Sequence, residues 1–297
     1  MKRKASAFTA SALVLSLSCC SVREKAPPQL ADITETVSGK YTCTFDGVKH
    51  DFIVDLPDVT ENAPLVVMLH GYGDSAESFR TSTGFHKRAN AEGYAVAYVT
   101  GACDPDDPAS SAGWNSYSDG TGNRDVEFLT ALADHLQEQY ALDSSRTFAV
   151  GFSNGGFMTH RLAMEASDTY AAVVSVSGMM QESVWKKRRS ANNVGVFQLT
   201  GEKDDAVPKN SDGTAEHTKA PAIEDVMAYW AESNGLALSG TIGTGKGSLL
   251  RKYTGGDDSR QVWDLVIKDG RHSWCWEQNS VNGIDTTELI LEFLETK

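Results

Sequence analysis

Residues 149–157 read Ala-Val-Gly-Phe-Ser-Asn-Gly-Gly-Phe, an apolar run that ends in the pattern Gly151-x-Ser153-x-Gly155. A β-type run precedes the pattern, and apolar residues recur at helical spacing after it. A strand that turns directly into a helix at a serine needs glycines on both sides, because a side chain at the flanking positions would collide in so tight a turn. The stretch therefore predicts a serine nucleophile, Ser153, exposed above a sheet.

Strand-like and helix-like segments alternate along the whole chain. Runs that are nearly continuous in apolar residues predict strands at 52–56, 65–69, 95–99, 147–150, 172–176, 194–199 and 262–267. Amphipathic patterns predict helices at 79–91, 126–140, 154–165, 223–233 and 287–295. Strands that are apolar throughout are covered on both faces, and their alternation with helices is typical of parallel sheets. The fold class expected is α/β, with a mostly parallel central sheet and helices on both faces.

Composition limits the classes of partner. The 297-residue chain has 40 acidic and 27 basic side chains and a formal net charge of −13. This charge argues against nucleic acid and anionic membrane surfaces as partners. The chain contains no His-Glu-x-x-His or paired Cys-x-x-Cys pattern, so we expect neither a metal site nor a cofactor.

The N-terminus is typical of an export signal. Cationic residues at positions 2–4 precede an apolar and small-residue stretch that ends before Cys19 and Cys20. We interpret residues 1–18 as a signal peptide, too short to span a membrane. A bacterial lipoprotein with lipid on Cys19 or Cys20 is favoured over soluble secretion, and both place the protein outside the cytoplasm. The lipid would then be its only link to a membrane.

The rest of the chain suits one catalytic domain. Residues 19–30 are interpreted as a tether, and 31–297 as a single domain large enough to bury an extensive core. Export would leave Cys43, Cys103 and Cys275 in an oxidising compartment. Our preferred disulfide joins Cys103 and Cys275, since both follow predicted strand ends near the proposed nucleophile.

Ligands of parallel sheets bind beyond the carboxyl ends of the strands. The strand at 65–69 ends at His70-Gly71-Tyr72-Gly73, which has the character of an oxyanion loop. Two aimed N–H donors stabilise a developing oxyanion, one after the nucleophile and one in this early loop. We assign them to the backbones of Asn154 and Tyr72. His70 is expected to fix the loop by hydrogen bonds.

The acid and base are expected after later strands. The strand at 194–199 leads to Asp204, with Asp205 as a close competitor. His272 is the one histidine that follows both this acid and a late strand. The order Ser153, acid, His272 is the order that α/β-hydrolases use.

These motifs resemble the extracellular polyhydroxybutyrate depolymerase-like and feruloyl esterase family, related to carbohydrate esterase family one. The resemblance covers about residues 40–295. It rests on His70-Gly71-x-Gly73, Gly113-Trp114-Asn115, Asp125-Val126-x-Phe128-Leu129, the serine pattern, Gly201-x-x-Asp204-x-x-Val207-Pro208 and His272-Ser273-Trp274.

The resemblance implies a serine esterase of the α/β-hydrolase fold with a triad of Ser153, Asp204 and His272. It favours Asp204 over Asp205, because the family aspartate lies three positions after the glycine. Trp114 and Trp274 resemble positions that border the family's site. With Met179 they are expected to contact substrate.

The function expected is removal of feruloyl or acetyl groups from plant cell-wall polysaccharide. A polyester depolymerase is the alternative, although such enzymes commonly carry an added binding domain. An inactive hydrolase scaffold that serves as a surface binding lipoprotein is the alternative outside enzymes, and the complete set of three residues argues against it.

Overall fold

The computed structural model describes residues 29–105, 107, 109–120, 122–189, 193–207, 220–244, 246–255, 260–274 and 283–297. The predicted signal peptide, Cys19 and Cys20, and Cys275 of the predicted disulfide lie outside these residues. Cys43 is buried and Cys103 is exposed. The Cys103–Cys275 bond stays a prediction.

In the part of the chain that the structure describes, eleven strands form one sheet. They are β1 (Leu30–Val37), β2 (Lys40–Phe45), β3 (Val48–Asp55), β4 (Leu65–Leu69), β5 (Ala95–Val99), β6 (Thr147–Phe152), β7 (Ala172–Val176), β8 (Gly195–Gly201), β9 (Ala237–Thr244), β10 (Ser248–Thr254) and β11 (Val262–Ile267). Their order is β1-β2-β3-β5-β4-β6-β7-β8-β11-β10-β9. The run from β5 to β11 is parallel, with antiparallel strands at each side.

Helices cover both faces of the sheet. They are α1 (Ala76–Thr83), α2 (Phe85–Ala91), α3 (Asp125–Tyr140), α4 (Asn154–Glu165), α5 (Glu182–Lys186), α6 (Ile223–Ser233) and α7 (Thr286–Leu294). Successive residues of the parallel strands point to opposite faces, so Val67 joins the core under α3, α4 and α6, while Val66 joins the core under α1, α2 and α7. The predicted fold class is confirmed. Among the described residues, no helix has the length and apolar character needed to cross a bilayer.

The region predicted as one helix at 79–91 is two helices, so that prediction was wrong. Gly84 adopts a left-handed conformation with φ 58°, and its N–H donates to the Arg80 carbonyl. This conformation ends a helix, and glycine adopts it at little cost. The apolar spacing continues across the break because Phe79 and Phe85 still pack into the same core.

The outer strands β1, β2, β9 and β10, and the short helix α5, were not predicted. β9 at the sheet edge is largely exposed, so its residues lack the continuous apolar character that identified the central strands. The central strands were identified because both of their faces are buried.

Helix α4 lies unusually close to β4 at Gly155. A Cβ atom built there would sit 2.1 Å from the carbonyl oxygen of Leu69, a backbone atom that cannot rotate away. By contrast, a Cβ atom on Gly243 of β9 meets open space. The serine turn therefore depends on the absence of a side chain at Gly155.

We predict that Gly155→Ala lowers the free energy of unfolding by about 3 kcal/mol or more, because α4 must shift away from the sheet. Gly243→Ala is the matched control and should change it by less than about 1 kcal/mol. Urea unfolding of the two variants and the wild type measures both changes. Equal stability of the two variants would contradict the steric argument.

Candidate active site

Ser153 occupies the turn between β6 and α4. Its backbone has φ 51° and ψ −118°, a strained conformation for a residue with a side chain. The turn is so tight that a Cβ atom on Gly151 would lie 2.2 Å from the Gly155 carbonyl oxygen. The Ser153 N–H donates to the carbonyl of Val176 in β7 at 2.9 Å, which fixes the turn to the neighbouring strand. The hydroxyl is thereby presented at the carboxyl edge of the sheet.

The structure brings Ser153, His272 and Asp204 into one hydrogen-bonded line. The Ser153 Oγ lies 2.9 Å from Nε2 of His272, and Nδ1 of His272 lies 2.9 Å from Oδ2 of Asp204. With a carboxylate on Nδ1, that nitrogen carries the proton, and Nε2 is left to accept from the serine hydroxyl. These residues come from three separate strand ends.

Asp204 is held in place from its other side. Its Oδ1 accepts hydrogen bonds from the backbone N–H groups of Ala206 and Val207 at 3.0 and 2.8 Å. The side chain is fully buried, whereas its competitor Asp205 is exposed. These two bonds fix the carboxylate so that its Oδ2 accepts from the imidazole.

Asn154 and Tyr72, the two residues expected to supply oxyanion donors, both line the cavity at Ser153. Asn154 is the first residue of α4, and Tyr72 follows β4. Within the described part of the chain, neither N–H donates to a protein oxygen. Free N–H groups at a helix N-terminus attract negative charge. The arrangement can stabilise an oxyanion beside Ser153.

His70 supports the loop that carries Tyr72. It is fully buried, its Nδ1 donates to the Gly71 carbonyl at 2.6 Å, and its Nε2 accepts from the Gly101 N–H at 2.9 Å. Burial lowers the pKa of His70. Both ring nitrogens are used, so this histidine fixes the loop.

A cavity of about 840 Å³ opens at Ser153. Its aromatic wall consists of Tyr72, Trp114, Tyr117 and Phe157. Polar and acidic side chains make up much of the remaining lining, namely Asp104, Asp107, Ser110, Ser111, Asn115, Ser116, Asp119, Asn123 and Gln181. A site of this size accommodates a ligand larger than an acetyl group.

The substrate contacts expected from sequence need correction. Trp114 lines the cavity, whereas Met179 and Trp274 do not. Met179 is fully buried, because the segment after β7 packs its methionines into the core and places Gln181 on the wall. Trp274 packs edge-on against Phe79 at 5.4 Å in the opposite core.

Two features of the site were missed by sequence reasoning. Tyr117 is 46% exposed and lines the cavity, but its loop has no periodic pattern. Asp125 was named only as part of a motif and given no role in the site, although its carboxylate accepts from the Asn115 N–H at 2.6 Å. The available signal was its motif, Asp125-Val126-x-Phe128-Leu129, which follows Gly113-Trp114-Asn115 in the sequence. Among the described residues, no group of side chains is arranged to hold a metal ion.

A buried polar network lies behind the nucleophile helix. His160 of α4 donates from Nε2 to the Gln198 carboxamide oxygen at 3.0 Å. The Gln198 nitrogen donates to the carbonyl of Gly178 at 2.9 Å and lies 3.1 Å from the Thr200 hydroxyl. Complete burial lowers the pKa of His160 to about 4. The network ties α4 to the strand that leads to Asp204.

Comparison with known proteins finds a protein-family model that matches this sequence. A model of the phospholipase/carboxylesterase family matches residues 51–228. A putative esterase, NocK, from Nocardia uniformis subsp. tsuyamanensis is 34% identical over 172 residues, 56% of this chain and 47% of that protein. Feruloyl esterase B from Thermothelomyces thermophilus is 30% identical over 130 residues, 42% of each chain. The chain thus spans less than half the length of these relatives.

A solved structure supports the fold. The acetyl xylan esterase from Aspergillus awamori matches with a TM-score of 0.61 at 15% identity, over 84% of this chain and 94% of that one. At that identity the likeness concerns the fold alone. The feruloyl esterase among the relatives confirms the resemblance found in the sequence motifs.

The pKa of His160 predicts a pH dependence of stability. Folding favours the neutral form of His160. The contribution of this group to the stability of the fold is therefore fully present above pH 6.5 and is lost as the pH falls toward 4. Between pH 6.5 and 4, the free energy of unfolding of the wild type should fall by up to about 3 kcal/mol more than that of His160→Gln, because glutamine has no titratable group. Denaturant unfolding at several pH values measures the difference. The other histidines are present in both proteins, so their effects cancel in the comparison. Parallel profiles of unfolding free energy against pH would contradict the effect assigned to His160.

Proposed function

This chain belongs to the phospholipase/carboxylesterase family, and on that premise we propose that it is a serine carboxylic ester hydrolase that works through an acyl-enzyme. The observation that carries the proposal is the line of hydrogen bonds from Ser153 through His272 to Asp204. A binding scaffold has no need of this line or of a strained serine.

In the first step, His272 takes the Ser153 proton as Oγ attacks the ester carbonyl carbon. The proton moves to Nε2, which already lies 2.9 Å away. Asp204 stabilises the resulting imidazolium through Nδ1 and does not itself take the proton. The alcohol then leaves with the proton from Nε2, and the acyl group remains on Ser153.

The tetrahedral intermediate places negative charge on the former carbonyl oxygen. In our proposal, the N–H groups of Asn154 and Tyr72 bind this oxygen. Loss of one such donor typically lowers turnover by about a hundredfold or more.

The second step repeats the chemistry with water. His272 deprotonates a water molecule that attacks the acyl carbon, and Ser153 is released when its oxygen regains the proton. The same base, acid and oxyanion donors serve both steps. The products are a carboxylic acid and an alcohol.

For the substrate we propose feruloylated or acetylated plant cell-wall polysaccharide. Tyr72, Trp114 and Tyr117 offer aromatic surfaces for a hydroxycinnamoyl group, and the hydroxyl, amide and carboxylate groups of the wall suit a sugar. The name of the feruloyl esterase relative supports the feruloyl part of this choice. A solid polyester needs an extended apolar surface, whereas much of the lining of this cavity is polar or acidic. We further propose that the signal and tether place the enzyme outside the cytoplasm, anchored by lipid to a bacterial membrane or cell surface.

We predict that Ser153→Ala lowers kcat/KM for methyl ferulate by at least about 10⁴-fold, because the nucleophile is removed. The melting temperature should stay within a few degrees of the wild-type value. Ferulate release, measured by chromatography on the purified domain, checks the prediction. Acetylated xylan and a polyhydroxybutyrate suspension are assayed in parallel.

Ser239→Ala, on the exposed edge strand β9, is the control and should retain full activity. Acetate release or polymer clearing without ferulate release would retain the mechanism and replace the substrate. Activity of Ser153→Ala equal to that of the wild type would refute the proposed mechanism.

A further inference from the structure

One wall of the cleft is a segment without regular secondary structure, residues 114–118, which we call the wall segment. All of its members except Ser118 line the cavity at Ser153. A loop of this kind has no ladder of backbone hydrogen bonds to hold it. Its position depends on side chains from the surrounding helices.

Two charged side chains hold the backbone of one residue of the wall segment, one at its N–H and the other at its carbonyl. The Asp125 carboxylate accepts from the Asn115 N–H at 2.6 Å, and Arg161 donates to the Asn115 carbonyl at 2.6 Å. Asp125 begins α3 and is 1% exposed, while Arg161 lies in α4 and is 9% exposed. Charge-assisted bonds of this length are strong and directional. Asn115 is therefore held between two helices.

The far end of the wall segment is held in a similar way. The Ser118 hydroxyl donates to Glu165, and Lys187 donates to the Ser118 carbonyl. Glu165 also accepts from Arg161 at 3.1 Å. The same arginine thus connects the supports of both ends.

The near end of the wall segment contacts the neighbour of the nucleophile. The Asn154 carboxamide accepts from the Trp114 N–H at 2.7 Å and donates to the Trp114 carbonyl at 3.1 Å. Displacement of Asn115 would move the neighbouring Trp114, which lines the cavity at Ser153. The supports of Asn115 therefore bear on the cleft beside Ser153.

Asp125 is a costly residue for stability alone. Its Oδ1 is buried and, within the described residues, has no hydrogen-bond partner. Burial raises the pKa of Asp125 to about 6, with the Asn115 N–H and Arg161 acting in the opposite direction. A buried carboxylate that is incompletely bonded stabilises a fold poorly. What it does provide is a fixed position for the Asn115 N–H.

We propose that Asp125 and Arg161 are positioning residues that determine the affinity of the cleft for large esters by holding the wall segment in place. The proposal rests on the proposed esterase function and adds a determinant of its substrate size. Neither residue touches the reacting atoms. Small esters need only Ser153 and its immediate neighbours, so they should be insensitive to the wall.

The test compares methyl ferulate with methyl acetate, which share an alcohol and differ in size. Asp125→Ala should raise KM for methyl ferulate about tenfold and leave kcat within about threefold, as expected when binding common to ground and transition states is lost. For methyl acetate, kcat/KM should stay within about threefold. Arg161→Met, which keeps the apolar stem, should act in the same direction.

Asp125→Asn retains an oxygen that can accept from the Asn115 N–H, so it should restore a KM close to the wild-type value. Glu138→Ala, at an exposed position of the same helix, is the matched control and should leave KM for both esters near the wild-type value. If Asp125→Ala does not fold, the contrast between Asp125→Asn and Arg161→Met carries the test. Equal losses of kcat/KM on methyl ferulate and methyl acetate would overturn the proposal. A fall in kcat for methyl ferulate with KM unchanged would also overturn it.

Hydrogen exchange gives a readout that does not depend on activity. In Asp125→Ala the peptides that cover residues 114–118 should exchange at least tenfold faster, while peptides of the central strands stay protected. Unchanged exchange of the wall segment would overturn the proposal even if esters are cleaved. A different result separates the two proposals. If the wild-type protein cleaves neither methyl ester nor any polymer, while the wall segment still exchanges faster in Asp125→Ala, the esterase function is refuted. The role of Asp125 in holding the wall segment is then retained. If only acetylated xylan is cleaved, it replaces methyl ferulate in the comparison.

Discussion

The backbones of β4 and α4 touch at Gly155, and this contact sets the geometry of the site. A Cβ atom there would lie 2.1 Å from the Leu69 carbonyl oxygen, and one on Gly151 would lie 2.2 Å from the Gly155 carbonyl oxygen. Without side chains at these positions, the chain leaves β6 and enters α4 within one residue. That residue is Ser153, whose backbone is strained as a result. The same turn places the first N–H of α4 beside the serine hydroxyl.

The parallel sheet brings the remaining groups to this turn. β8 and β11 are adjacent and parallel, so the loops after their carboxyl ends place Asp204 and His272 together although they are 68 positions apart. β4 lies on the other side of β6, and its loop carries Tyr72. The site is therefore a consequence of strand order. Loops after β5 then supply the wall of the cleft, which is held by charged side chains of α3 and α4.

The sequence was sufficient for the central strands and for Ser153, Asp204 and His272 as the residues brought together, because buried parallel strands are apolar throughout and the groups follow their ends. It was insufficient for β9, whose exposed residues carry no such pattern, and for the break at Gly84, across which the apolar spacing continues. Met179 was misassigned because sequence does not distinguish a core methionine from one in a cleft. The hydrogen bond from the Asn115 N–H to Asp125 depends on the path of a loop, and local sequence patterns do not encode that path.

The proposed chemistry depends on Ser153 as the nucleophile and on its activation by His272. It is tested most directly by mass spectrometry of the protein after reaction with a fluorophosphonate, which labels activated serines without regard to the natural substrate. We predict one phosphonyl group per chain, on the peptide that contains Ser153, and a labelling rate at least about a hundredfold lower in His272→Ala. A protein that stays unlabelled, or that is labelled at another serine, would contradict the account.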